Sequence, residues 1–187
     1  FAFTDDGISP RSKLGMDNGV FWNTGDESDE MGHITEDPQI RIKMMDKRMS
    51  RLDLMLKSIP ITQQAVSFEI HDYTIISWGS TKGPIIDAQS MLKKEGIDIG
   101  FIQIKLLHPF PTEYVQSLLK DAKVLIDIEA NHSGQLGKIF KQNISRDIDY
   151  HILKYTGRGM TSTEIYDSLK KIVQNKAAKR EVLSHGA

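Results

Sequence analysis

The sequence predicts an α/β fold, a mainly parallel sheet with helices on both faces, preceded by an irregular segment and a linker helix. Three observations carry that expectation. From residue 65 onward, short apolar runs alternate with stretches of helical period. The runs are continuously apolar, as strands are when both faces are covered. The first 37 residues, by contrast, hold five glycines and sustain no helical or strand period.

Within that opening stretch, Gly25-Asp26-Glu27-Ser28-Asp29-Glu30 has no apolar side chain. A coil this long is uncommon inside a compact domain and usually has its partners elsewhere. A free tail would leave Phe1, Phe3, Ile8, Leu14, Val20, Phe21 and Trp22 in water. Residues 1–37 therefore read as the tail of a preceding domain, residues 38–60 as a linker helix and residues 61–187 as the α/β domain. The chain begins at Phe rather than Met, which reads as a piece of a longer polypeptide.

Asp37 is a cap and Pro38 suits a first helical position. Ile42, Met45, Met49, Leu52, Leu56 and Ile59 follow at spacings of three or four, one apolar stripe on a helical face. Pro60 ends it. Packing is favoured over a cofactor pocket for these methionines. Val66 to Ile70 alternates with period two, a strand. Tyr73 to Trp78 is a buried strand closed by Gly79. Pro84 to Lys94 is a helix closed by Gly96. Ile99 to Leu107 is a strand, Thr112 to Lys120 a short helix, and Lys123 to Ile128 a strand. Ser133 to Gln142 is a helix, and Tyr150 to Tyr155 a strand. Thr161-Ser162-Thr163-Glu164 is a capping box, opening a helix through Ile165, Leu169 and Ile172. Asn175 to Ala187 is polar and expected to fray.

Of 187 residues, 39% are hydrophobic and 26% charged, a balance that fits a folded domain. Net charge is −1, so no global field draws nucleic acid or anionic lipid. Cysteine is absent, which removes disulfides and thiolate ligands for zinc or an iron–sulfur cluster. No apolar run approaches the roughly 20 residues of a membrane span. No signal peptide is legible, and a cytoplasmic location is expected.

Two βα turns are candidates for chemistry. Gly79-Ser80-Thr81-Lys82-Gly83 offers small residues, hydroxyls and backbone N–H groups to an anion. It is not a P-loop, and an ordinary tight turn is the favoured reading. Glu129-Ala130-Asn131-His132-Ser133-Gly134-Gln135 ends a buried strand, where ligands of open α/β sheets bind. Glu129 suits an acid or base, and His132 a group that titrates near neutrality. The favoured alternative is that Ser133 caps the helix while Glu129, Asn131 and Gln135 pair across an interface. The six histidines are scattered, with no HExxH, and Gly-x-Ser-x-Gly is missing. No catalytic, cofactor-binding or metal-binding residue is expected in this chain.

Several short motifs go further. Asp6-Gly7-Ile8-Ser9-Pro10-Arg11 resembles the segment that closes the thiamine-type first domain in alpha subunits of 2-oxoacid:ferredoxin oxidoreductases. Gly32 to Asp37 and Met45 to Leu52 are similar to that family's link and basic helix. Ser77-Trp78-Gly79-Ser80-Thr81, Pro109-Phe110-Pro111 and Glu129 to Gln135 are similar to its later turns. His108 stands where the family pattern has Arg, a departure that bears on any anion contact at that loop. The resemblance implies a fold like the carboxy-terminal domain of transketolase, within the carboxy-terminal part of such an alpha subunit. It implies a complete enzyme that oxidatively decarboxylates a 2-oxoacid to an acyl-CoA and reduces ferredoxin. Thiamine diphosphate, magnesium and a four-iron cluster would serve that enzyme from outside this chain. This chain lacks cluster thiolates, the Gly-Asp-Gly to Asn-Asn motif and a Tyr-Pro-Ile-Thr-Pro type loop. A noncatalytic assembly domain is the role implied. Its partners would be the preceding alpha-subunit domain and a beta subunit, in a dimer of heterodimers. Asp6, Gly7, Ser9, Arg11, Glu129, Asn131 and Gln135 are the interface candidates. Which 2-oxoacid is used is not legible. An independent small-molecule-binding or regulatory α/β module is the alternative. A transketolase or branched-chain dehydrogenase domain is a third, against which Asp6 to Arg11 argues.

Overall fold

A computed structural model describes residues 1–21 and 23–185. Trp22, counted above among the apolar side chains, and Gly186 and Ala187 of the polar tail lie outside the described residues. The chain divides into two compact units, Phe1–Ile59 and Pro60–Ala187.

The first unit is built on helix α1, Pro38–Ser58. The Asp37 carboxylate accepts hydrogen bonds from the N–H groups of Gln39 at 2.7 Å and Ile40 at 3.2 Å, with Pro38 in the first turn. These bonds satisfy donors that a helix start otherwise leaves open. The irregular segment is tied to α1 through charge. Glu27 receives both guanidinium nitrogens of Arg48, at 3.0 and 2.7 Å, and one of Arg41 at 2.7 Å. The Arg48 bonds hold the Glu27 carboxyl down at about 2, against the effect of its burial. Lys47 Nζ reaches the Phe1 and Ala2 carbonyls at 2.6 and 2.7 Å and Ser9 Oγ at 2.5 Å.

This attachment overturns one packing expectation. Met44 is the one buried residue of α1. Ile42 and Met49 of the predicted stripe are 53% and 55% exposed. The face that meets the irregular segment carries Lys47 and Arg48, to which that segment offers carboxylate and carbonyl oxygens. Ile42, Met45 and Met49 of the stripe are left exposed, while Leu52, Leu56 and Ile59 are half-buried.

The second unit starts with the short helix α2, Ile61–Gln64, which the sequence reading did not include. Then come β1 Ala65–Phe68, β2 Tyr73–Trp78, a single 3-10 turn at Gly79–Thr81, α3 Lys82–Lys93, β3 Gly100–Ile104, α4 Thr112–Leu118, β4 Val124–Glu129, α5 Gln135–Ile144, β5 Tyr150–Leu153, α6 Ser162–Val173 and β6 Arg180–Val182. The six strands form one sheet in the order β1-β3-β2-β4-β5-β6. β1 runs antiparallel to β3, and every other pairing is parallel. The expected fraying of Asn175 to Ala187 is corrected by β6, which extends the sheet beside β5. Its three residues are too few and too polar to show a period.

Successive side chains of a strand point to opposite faces. Ile75, Phe101, Ile126, Ile128 and Ile152 pack with Ile85, Ala88 and Leu92 of α3 and Ile165, Leu169 and Ile172 of α6. On the other face, Ile76, Ile102, Ile104 and Leu125 pack with Val115 of α4 and Leu136, Phe140 and Ile144 of α5. The α6 capping box forms as the sequence indicates: Glu164 N–H bonds Thr161 Oγ1, and the Glu164 carboxylate bonds Thr161 N–H. Behind it, the Lys154 ammonium is buried and bound by both Glu164 oxygens, the Gly159 carbonyl and the His185 carbonyl. Four acceptors offset the cost of removing that charge from water.

At the start of β3, Gly100 leaves no room for a side chain. A Cβ there would lie 2.7 Å from Thr74 Oγ1 and 2.8 Å from the His71 nitrogen. Gly100→Ala is expected to lower unfolding free energy by about 1–3 kcal/mol, read from the urea midpoint at unchanged m-value. Gly83→Ala, with nothing within 4 Å of its Cβ, is the control.

Candidate functional site

Strand order locates the place to look. β2 has β3 on one side and β4 on the other, so the connections leaving β2 and β4 diverge at their carboxyl ends. Such a switch point is where open α/β sheets form a crevice. Both turns singled out in the sequence flank it: Gly79 to Gly83 follows β2, and Glu129 to Gln135 follows β4.

Glu129 closes β4 and is 1% exposed. Its Oε1 accepts from the backbone N–H of Leu136 at 2.8 Å. Its Oε2 accepts from the Trp78 indole at 3.0 Å and from Asn131 Nδ2 at 2.7 Å. Asn131 Oδ1 in turn accepts from the N–H groups of Ser133 and Gly134, at 3.1 and 2.9 Å. Three donors meet this buried carboxyl group, and through them it joins β2, β4 and α5. Ser133 was expected to cap α5 and does not. Gly134 occupies the cap position in the left-handed region, φ 59°, without a side-chain cap bond. The Glu129 carboxylate serves the first turn instead, seven residues before Leu136.

On the β2 side, Ser77 Oγ donates to the Ile128 carbonyl at 2.5 Å and lies 2.5 Å from Thr81 Oγ1. These hydroxyls are spent on the backbone of β4 and on each other. The Lys82 ammonium lies over the Phe68 ring, 5.2 Å from its centroid. His132 stacks at a tilt on Tyr155, ring centroids 4.8 Å apart. Around the turn, Gln135 is exposed and Asn131 half-buried.

The remaining interface candidates belong to the first unit. Asp6 Oδ1 accepts from Ile8 N–H at 2.9 Å, which lowers its carboxyl from the ordinary range. Gly7 has φ 70°, and a Cβ there would touch Arg51 and Leu54. Ser9 Oγ donates to the Ala2 carbonyl at 3.0 Å. Arg11 is exposed.

Sequence reasoning missed a second polar pair beside Glu129. Asp127 of β4 is fully buried, and its Oδ2 lies 2.9 Å from His151 Nδ1 on β5. Burial pushes the Asp127 carboxyl up to about 7, against the pull of His151. The signal available was a lone Asp within the apolar run Val124 to Ile128. Its partner is a product of strand register and was not legible.

The residues present do not fit an iron–sulfur cluster, because the chain has no cysteine. Among the described residues, one group has metal-ligand character, Glu69 with His71 and Asp98. The Lys93 ammonium already lies 3.0 and 3.3 Å from the two Glu69 oxygens, which gives those exposed carboxylates a cation without a metal. No helix among the described residues is long and apolar enough to cross a membrane.

Comparison with known proteins adds to this geometry. Residues 71–165 match the family described as pyruvate:ferredoxin oxidoreductase core domain II. A 2-oxoacid:ferredoxin oxidoreductase subunit alpha from Saccharolobus solfataricus is 40% identical over 189 residues, which cover 100% of this chain and 29% of that protein. The subunit alpha of 2-oxoacid:ferredoxin oxidoreductase 2 from Aeropyrum pernix is 37% identical, with the same coverage. The chain thus spans under a third of the length of these relatives. Among solved structures, a 2-oxoglutarate:ferredoxin oxidoreductase from Magnetococcus marinus superposes with a TM-score of 0.80 at 28% identity. The match covers 91% of this chain and 30% of that one.

Glu129→Gln would turn one acceptor oxygen into a donor facing other donors. It is expected to cost about 2–3 kcal/mol, measured by urea unfolding, and to shift the fluorescence of the indole that Glu129 holds. Gln135→Glu, at the exposed end of the turn, is expected to change stability by under about 0.5 kcal/mol.

Proposed function

The chain belongs to the pyruvate:ferredoxin oxidoreductase core domain II family, in the form carried by alpha subunits of 2-oxoacid:ferredoxin oxidoreductases; from that premise we propose that it is a noncatalytic assembly domain of such an enzyme. The complete enzyme oxidatively decarboxylates a 2-oxoacid to an acyl-CoA and passes the electrons to ferredoxin. The Magnetococcus marinus relative is described with 2-oxoglutarate, coenzyme A and succinyl-CoA bound, which supports this reaction class. Thiamine diphosphate, magnesium and a four-iron cluster are held by other parts of that enzyme. This chain supplies surface to the preceding alpha-subunit domain and to a beta subunit, in a dimer of heterodimers.

One observation carries the reading. Thirteen of the seventeen large apolar side chains that stay exposed among the described residues lie in Phe1–Ile59, under a third of the chain. They include Leu14 and Val20, which are fully exposed, Met31 at 78%, and the Ile42 and Met49 positions of α1. Apolar area of this density marks an interaction surface. Each such side chain contributes about 1.5–3 kcal/mol when fully buried, so covering a few of them offsets the entropy of association.

On this reading, residues 1–37 are the tail of a preceding domain and Asp6, Gly7, Ser9 and Arg11 lie at the seam with it. Around the switch point, Glu129 acts from inside, holding the turn that presents Asn131 and Gln135 to a neighbour. Its contribution to rate is indirect: it keeps a cleft built elsewhere in register, where small displacements of reacting groups are costly.

The test is assembly. In a full-length alpha subunit carrying this segment, co-expressed with its beta subunit, Ile42→Glu combined with Met49→Glu is expected to reduce co-purification at least about tenfold. The isolated chain carrying the same pair should unfold at the unaltered urea concentration, because neither side chain is buried in it. Undiminished assembly and turnover by the double variant would overturn the proposal.

A further inference from the structure

The Asp127–His151 pair lies beneath the start of α5 in a setting that leaves it short of donors. Asp127 and His151 are register partners on β4 and β5. Asp127 Oδ2 has the His151 ring nitrogen, while Oδ1 is buried with no hydrogen-bond partner. The helix closes over them through two glycines. A Cβ at Gly134 would lie 3.1 Å from His151 Nδ1 and 3.3 Å from Asp127 Oδ2. At Gly137 the distances would be 2.9 Å to His151 Cε1 and 3.2 Å to Asp127 Oδ2. The pair and the helix start are therefore in van der Waals contact, and a change in one is felt by the other.

The charges around Asp127 are few. Glu129 shares its face of β4 two residues on, and its proximity opposes a negative charge on Asp127. β2 contributes Ile76 opposite Asp127, and α5 contributes Gly134 and Gly137. β6 places Arg180 opposite His151 in register, with a guanidinium nitrogen turned to the His132 carbonyl at 2.6 Å. The His151 side chain is 32% exposed, so its ring joins the buried carboxyl to water.

We propose that Asp127 and His151 form a one-proton switch under α5, which seats the Glu129–Gln135 turn when the proton is held and loosens it when the proton leaves. The proton passes between Asp127 and solvent by way of the imidazole, and no other group changes covalently. With it, the pair is neutral overall whichever partner holds the proton. Without it, the pair leaves a net negative charge beside Glu129, held by a single bond. The sign follows from burial. The Asp127 carboxyl in the folded chain is raised to about 7, above its ordinary range. The stability it contributes is complete below the ordinary carboxylate range and is lost as pH rises through about 7. Because Asn131 and Gln135 extend from the same turn, the surface they present becomes pH-dependent.

Amide hydrogen exchange of the whole chain at about pH 6 and about pH 8, corrected for intrinsic rates, tests this. Residues 131–144 are expected to exchange faster at the higher pH, by up to about tenfold, while α3 and α6 on the other face hold their protection. Asp127→Asn, which cannot ionise, is expected to abolish that difference. A pH-independent segment in the natural chain, or an unchanged difference in Asp127→Asn, overturns the proposal. Should Asp127→Asn not fold, nitrogen shifts of the natural chain decide it: the His151 ring and the 131–144 amides must inflect at one pH, and separate inflections overturn it.

Discussion

A buried carboxylate must be given donors, and the carboxyl end of this sheet is organised by meeting that requirement for Glu129. The Trp78 indole reaches it from β2, the Asn131 amide from the following turn, and the Leu136 N–H from the first turn of α5. Each donor comes from a different stretch of chain, so one side chain joins two central strands to a helix. The bonds also explain why the turn between β4 and α5 needs no capping hydroxyl: Glu129 serves as the cap, and Gly134 supplies the left-handed residue that lets the chain double back. Its three donors occupy most of the acceptor capacity of that carboxylate. The position that looks reactive in the sequence bridges two strands and a helix in the fold.

The first unit reverses the usual economy of a folded segment. Its internal contacts are largely ionic and polar, through Glu27, Arg48 and Lys47, with a small apolar part at Met44 and the Phe1–Phe21 pair, while most of its large apolar side chains are exposed. Ion pairs of this exposure add little stability by themselves. Their value lies in orientation, since they hold the irregular chain on α1 with much of its apolar surface left exposed. That arrangement suits a surface that is completed by a neighbour.

Much of the fold was legible because it is local. Asp37 and Pro38, and Thr161 with Glu164, announce two helix starts within four residues each. The apolar runs of β2, β3 and β4 announce a sheet covered on both faces. What failed was long-range or set by absent partners. The α1 stripe had the right period for a helix, but period does not say which neighbour covers it, and within this chain its first half is left exposed. β6 is three residues of Arg-Glu-Val whose strand state comes from pairing with β5. In the candidate site, Glu129 and Asn131 were visible as a motif, while Trp78 as a partner 51 residues away was not. Asp127 and His151 meet only through the register of β4 with β5, and Glu27 meets Arg48 across 21 residues. No spacing rule reports contacts of that kind.

The central claim is that this chain contributes by surface and does not seat the cofactor chemistry of its family. Calorimetric titration of the isolated chain with thiamine diphosphate and magnesium, and separately with coenzyme A, measures that most directly. The account predicts heats of dilution alone. A saturable, stoichiometric isotherm with either ligand, lost on Glu129→Gln under conditions where that variant remains folded, would contradict it.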